Sequence, residues 1–249
     1  MKRFEAKAAL ITGAGSGIGR AVSLRLAEEG ASVYLADISE AGMVETAALL
    51  PANCTHQQFL LDVGDASACR EVVGEVAAIA GQLDVLCNIA GIALCQNFTE
   101  ISEADWQRVI NINLNGVFYL CQAAMPYLLE SGGNIVNMSS SAGRTGQAYN
   151  SAYCAAKAAV LMLTKALAVE YAGRGVRVNA VCPGAVSTPL VHGFTPPDNA
   201  DPALFARMMP LLPMAEAEEI AAAVAYLASE EARFVTGIDF AIDGGQTAG

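Results

Sequence analysis

AALITGAGSGIGR, from Ala8 to Arg20, is a short apolar run that breaks into glycines and then passes into the helical pattern RAVSLRLAEEG. It reads as strand, tight loop, helix. Gly13, Gly17 and Gly19 let the backbone turn sharply and approach a phosphate closely. The free N–H groups and positive dipole end at the helix N-terminus attract the pyrophosphate of a dinucleotide. The spacing is T-G-x-x-x-G-x-G from Thr12; in G-x-G-x-x-G the third glycine would fall on Ile18. A second apolar run, SVYLAD, ends in Asp37, 18 residues beyond Gly19. A carboxylate there can accept hydrogen bonds from ribose hydroxyls and would repel a 2′-phosphate, so NAD is favoured over NADP.

Further along, apolar strand-like runs alternate with helix-length segments: AALIT, SVYLA, QQFLLDV, LDVLCNIA, NIVNMSS, VRVNAVC and FAIDGG. Such alternation predicts an α/β fold, a single Rossmann-type doubly wound parallel sheet with helices on both faces, in one domain over residues 1–249. With 249 residues, 54% of them hydrophobic and 16% charged, the chain has the material for a substantial core. A net charge of −11 with four lysines argues against a nucleic-acid or anionic-membrane partner. No apolar stretch reads as long enough to span a bilayer. Glu5 and Lys7 interrupt the start, so a signal peptide is not expected. Seven cysteines without a C-x-x-C pair read as reduced, mostly buried residues of a cytoplasmic protein. His56 and His192 are too few for a metal site, and none is expected.

Tyr153 is followed four residues later by Lys157, within SAYCAAKAAVLMLTKALAVEYA, a segment rich in Ala and Leu that lacks Gly and Pro. Helical spacing puts the two side chains on one face. A free phenol titrates near ~10, too high for easy proton exchange with an alcohol at neutral pH, and a nearby cation lowers that value. The pair therefore suits an acid/base in a redox site, although spacing alone is a weak signal.

With the glycine turn and the Tyr–Lys pair in view, the chain resembles the classical short-chain dehydrogenase/reductase family from its N-terminus to IDGG. The resemblance implies that Gly13, Ser16, Gly17, Ile18, Gly19 and Asp37 bind the cofactor. It adds Asp62 and Val63 near the adenine, and the turn Asn88-Ile89-Ala90-Gly91, which departs from the family's N-N-A-G at Ile89. Because Ile89 cannot supply amide hydrogen bonds, support for this turn must come from elsewhere. In INLNGVF, Asn113 falls on the family's catalytic Asn, with Asn115 as its main rival. Of the three serines in IVNMSSSAG, the family's spacing of thirteen back from Tyr153 selects Ser140 and leaves Ser139 and Ser141 as turn residues. Pro183, Gly184, Val186 and Thr188 match the segment that approaches the nicotinamide. The roles implied are Ser140 holding the substrate oxygen, Tyr153 exchanging the proton, Lys157 lowering the phenol pKa and binding the nicotinamide ribose, and Asn113 binding a water near Lys157.

The activity this resemblance implies is an NAD-dependent interconversion of a secondary alcohol and a ketone. The segment from Val186 to Met214, punctuated by prolines and rich in Leu, Phe and Met, corresponds to the family's substrate lid and suits a moderately apolar, cyclic or steroid-like alcohol. An apolar stripe of this kind can equally be core or subunit contact. The family's usual G-R after the lid is replaced by Met214-Ala215-Glu216. A 3-oxoacyl-thioester reductase of the same family and a non-catalytic NAD-sensing protein are the alternatives. By the same resemblance, a homotetramer is expected.

Overall fold

The structure, a computed structural model, describes residues 2–248. Its strands are β1 Ala8–Thr12, β2 Ser32–Asp37, β3 His56–Leu60, β4 Val85–Asn88, β5 Asn134–Met138, β6 Arg177–Pro183 and β7 Asp239–Ile242. They form one all-parallel sheet in the order β3-β2-β1-β4-β5-β6-β7. The helices are α1 Gly17–Glu28, α2 Glu40–Ala48, α3 Ala66–Ala80, α4 Glu103–Ile110, α5 Gly116–Ser131, α6 Ser151–Tyr171, α7 Pro189–His192, α8 Pro202–Ala206 and α9 Ala217–Ala228.

Successive side chains on a strand face opposite ways, and both faces here are covered. On β1, Ala9 and Ile11 pack with Val22 and Leu26 of α1 and Ile220 and Val224 of α9. Ala8 and Leu10 pack on the other side with Val72 and Val76 of α3 and Leu120 and Leu128 of α5. That double burial is why the strands read as unbroken apolar runs. Strand order reverses between β1 and β4, which opens a crevice at the carboxyl ends of these central strands.

Two features differ from the sequence reading, and one, the turn that carries Asn113, was not marked in it. Asp62 and Val63 are not strand residues, because the Asp62 carboxylate accepts the Gly64 N–H at 2.8 Å and turns the chain out of β3. Asn113 lies on a π-helical turn, Asn111–Asn115, between α4 and α5. The Gly116 N–H reaches back to the Asn111 carbonyl, and Asn111 also donates to the Gly64 carbonyl at 3.0 Å. Finally, the stretch Ser151–Arg174 is, by length and composition, long and apolar enough to cross a membrane, contrary to expectation. Its apolarity has a different cause: α6 packs Ala156, Val160, Leu161, Thr164 and Ala168 inward and buries the charged side chain of Lys157.

Candidate active site

At the end of β1 the chain enters the glycine turn and then α1. Among the described residues, no side chain caps the first turn of α1: Ser16 stands at the N-cap without a side-chain bond, and no acidic residue follows it. The first N–H groups of the helix are thus left facing outward, beside Gly17, whose φ of +48° only glycine adopts readily. A Cβ on Gly19 would lie 1.9 Å from the Gly13 carbonyl oxygen, so the turn closes this tightly only with glycine. Gly13, Ser16, Gly17, Ile18 and Gly19 all line one cleft of about 600 Å³. Asp37, at the end of β2, lines it as well, and its oxygens accept the N–H groups of Gly15 (2.9 Å) and Ser39 (2.8 Å). Those two bonds fix the carboxylate and leave lone pairs for further donors. Arg20, the cation next to the glycines, is engaged with the Gly15 carbonyl, Thr46 and Glu45.

Across the sheet reversal, Ile89, Ala90 and Gly91 line the cleft together with Asp62 and Val63. The departure at Ile89 is resolved by Thr12. Its buried hydroxyl accepts the N–H groups of Ile89 (3.0 Å) and Ala90 (3.2 Å), while the Ile89 side chain packs into the core. Asn88 does not reach the cleft. Its amide points inward, donating to Asn137 at 2.8 Å and to the Cys121 sulfur at 3.3 Å, and Asn137 in turn donates to Thr164 at 2.9 Å. The Asn88 side chain is therefore a buried strut between β4, β5 and α6 and not part of the cleft wall.

β5 ends in Met138 and delivers the three serines, whose environments separate them. The Ser139 hydroxyl donates to the Lys157 carbonyl at 2.8 Å, and Ser141 is buried and accepts from Gln147 at 3.2 Å. Ser140 faces the phenol of Tyr153. Burial pushes the Tyr153 phenol up to about 12, against the pull of the Ser140 hydroxyl. One turn further along α6, Lys157 is 3% exposed, donates to the Met138 carbonyl at 2.9 Å, and sits 5.6 Å from the Tyr153 ring centroid. Among the described residues no carboxylate pairs with it, and burial lowers its ammonium to about 8. The Lys157 ammonium lies over the Tyr153 ring, and burial outweighs any lowering of the phenol by it.

Asn113 is fully buried and does not line the cleft. Its amide donates to the Ile92 and Val109 carbonyls (2.9 and 3.1 Å), and its oxygen accepts the Ile92 N–H at 3.1 Å. A Cβ on Gly91 would lie 2.6 Å from that oxygen and 3.4 Å from the Lys157 nitrogen, so the three groups meet at one point. Asn115 donates instead to the Asn111 side chain.

Pro183, Gly184, Val186 and Thr188 line the cleft after β6. The segment beyond them is fastened at its base by a bridge of Val186 to Ala215, with the Ser187 N–H on the Ala215 carbonyl at 2.8 Å. The apolar stripe divides: Leu190, Phe194, Phe205, Met208 and Met209 line the cleft, whereas Leu211 and Leu212 stand out 82% and 64% exposed. Sequence reasoning missed Thr12 in its supporting role, and also Arg108, Gln147, Asn150 and Gln246, which share the cleft wall. The threonine was signalled by the departure at Ile89; the other four stand at positions that no motif marks.

The family model described as enoyl-(acyl carrier protein) reductase matches residues 13–247. Meso-2,3-butanediol dehydrogenase of Serratia marcescens is 41% identical over 99% of this chain and 96% of its own length. The chain belongs to the short-chain dehydrogenase/reductase family. The 3-oxoacyl-(acyl-carrier-protein) reductase of Thermotoga maritima is a similar relative, 42% identical over 98% of both chains. A short-chain dehydrogenase from Mycobacterium paratuberculosis, solved bound to NAD, superposes with a TM-score of 0.93 at 34% identity over 99% of this chain and all of its own. The glycine turn, the serine at the end of β5 and the Tyr–Lys pair on α6 are thus held here in a short-chain dehydrogenase/reductase frame.

Proposed function

We propose that this short-chain dehydrogenase/reductase is an NAD-dependent enzyme that interconverts a moderately apolar secondary alcohol and its ketone. The observation that carries the reading is Ser140 facing Tyr153 above the buried Lys157, in a cleft whose other end is the uncapped α1 N-terminus and Asp37. The residues fit a dinucleotide: free N–H groups and tight glycines for the pyrophosphate, Asp37 for the adenosine ribose hydroxyls, and Pro183, Gly184, Val186 and Thr188 for the nicotinamide end. NAD, when bound, supplies the hydride acceptor. Ser140 holds the substrate oxygen, and Tyr153 takes the hydroxyl proton on oxidation and returns it on reduction. Lys157 has N–H donors beyond the one on Met138, which suit the ribose. With a polar substrate and a ribose in the cleft, the phenol is less completely desolvated and the ammonium favours its ionised form. Asn113 acts through the backbone it holds, fixing Gly91 and Ile92 beside Lys157.

The cleft-lining Leu190, Phe194, Phe205, Met208 and Met209 support an apolar, cyclic or steroid-like substrate under a lid of residues 186–214 in a single-domain enzyme. Identity to the Thermotoga reductase favours a second reading, reduction of a 3-oxoacyl thioester. A screen of secondary alcohols and ketones, with 3-oxoacyl thioesters as a further arm, is followed by NADH and NADPH absorbance. Turnover of a cyclic alcohol with NAD is the expected result; absence of any alcohol or ketone turnover sinks the first reading, and thioester reduction with NADPH establishes the second. The seven free cysteines suit a cytoplasmic setting. We further propose a homotetramer, supported by apolar side chains left exposed on α5 and α6 (Phe118, Met162, Val169) and around β7 (Phe234, Phe240).

A further inference from the structure

Tyr149 has a φ of +64°, in the left-handed region that a bulky side chain rarely enters. Such a conformation persists only where its surroundings over-determine it. Three contacts do so. The phenol oxygen accepts the Asp201 N–H at 2.9 Å, at the N-cap of α8. The ring stacks on Phe205 of α8, with centroids 5.4 Å apart and planes 13° from parallel. The Tyr149 carbonyl accepts the Gln96 N–H at 2.8 Å, from the loop after β4. Phe205 itself lines the cleft and meets Phe194 edge-on at 6.2 Å. The next residue, Asn150, is buried, N-caps α6 and donates to the sulfur of Met208, which also lines the cleft.

We propose that Tyr149 is a positioning residue that latches the segment over the cleft, setting the apolar wall of Phe205 and Phe194 against the substrate. The inference rests on the alcohol dehydrogenase reading for its substrate, but not for the latch. The strained turn connects directly to α6, so the wall is referenced to the helix that carries Tyr153 and Lys157. A left-handed residue whose side chain holds α8 and whose carbonyl holds Gln96 cannot shift without losing one of these contacts. Alcohols large enough to touch Phe205 should feel the latch, whereas a small alcohol that reaches only Ser140 and Tyr153 should not.

The test uses Tyr149→Phe, which keeps the ring and removes the acceptor, and Tyr149→Asn, which tolerates the backbone conformation and removes the stack. Expected is KM for a cyclic secondary alcohol raised about five- to tenfold in Tyr149→Phe, the value of one lost hydrogen bond. KM should rise further in Tyr149→Asn, while kcat, KM for a small alcohol and NADH affinity stay within about twofold in Tyr149→Phe. Independently of any turnover, hydrogen exchange at residues 198–209 should accelerate in both variants with the sheet unchanged. Unchanged exchange in this segment overturns the latch even if alcohol oxidation is found. Equal losses for small and large alcohols, or a global fall in stability with loss of NADH binding in Tyr149→Phe, would show Tyr149 to be merely structural and overturn it as well.

Discussion

At the residue scale the tension lies in α6, where a lysine and a phenol are both held away from water, and among the described residues the lysine's hydrogen-bond partner is a single carbonyl. Tyr153→Phe retains the packing and loses the oxygen that exchanges the proton, so turnover should fall by at least about a thousandfold while NADH binding by fluorescence stays within a few-fold. In the native enzyme alcohol oxidation should climb from pH 7 towards 9, with an apparent pKa that belongs to the Tyr153–Lys157 pair. A flat profile, or an active Phe variant, would move the acid/base elsewhere. Lys157 makes a second, thermodynamic prediction. Its folded value, about 8, lies below the ordinary 10.5, so between these pH values the unfolded chain binds the proton that the folded chain has released. Stability on this account rises with pH across that window, and below it the buried ammonium costs on the order of 3 kcal/mol. Lys157→Met should therefore be inactive yet more stable at pH 7 by on the order of 1–2 kcal/mol, after allowing for the lost bond to Met138. Urea denaturation at pH 7 and 10 checks this: the gain should shrink at the higher pH, and a variant less stable at both would contradict the argument. Asp37→Ala should bring kcat/KM for NADP to within about tenfold of that for NAD, because the like charge facing a 2′-phosphate is gone. A native enzyme indifferent between the two cofactors would remove the premise.

At the scale of elements, the cleft depends on how β1, β4 and the loops after them are fastened to one another. Thr12 is the fastening: one hydroxyl at the end of β1 serves two N–H groups in the turn after β4. Thr12→Val keeps the shape and leaves a buried donor (Ile89) and a half-buried one (Ala90) without that acceptor, at about 2–4 kcal/mol. A fall of this size in the unfolding free energy from urea denaturation, together with weaker NADH binding because Ala90 and Gly91 line the cleft, is the expected result. Stability within about half a kcal/mol of wild type would mean that the turn is held by its packing alone. The π turn at Asn111–Asn115 belongs to the same scale: it brings the Asn113 side chain to Ile92 and the Asn111 side chain to Gly64, tying α4 and α5 to both loops around the crevice.

For the whole molecule, helices bury both faces of the sheet, while large apolar side chains remain exposed at several places, among them α5 and α6 and the surroundings of β7. Phe234 at 96% exposed and Val169 at 86% are the extreme cases. If these faces are subunit contacts, light scattering at micromolar concentration should give four times the 25.8 kDa chain mass. Charged substitutions at Val169 and Phe234 should split it into smaller species. A monomeric wild type at that concentration would sink the assembly.

The sequence by itself determined the fold class, because strand runs, glycine turn and helical runs each express local rules of backbone freedom and burial that act over a few residues. It also pointed to Ser140, Tyr153 and Lys157, whose spacings are short-range and so survive as patterns in the chain. Only the tertiary structure decided where Asn88 and Asn113 direct their amides, since an amide takes whichever buried backbone or side chain the packing brings within reach. The same holds for Thr12, which supports a turn 77 residues away, and for Tyr149, whose partners come from separate loops. The lid stripe followed the same logic: Phe205 and Leu211 are alike in composition, and only the path of the chain past Gly244 sends one into the cleft and the other outward.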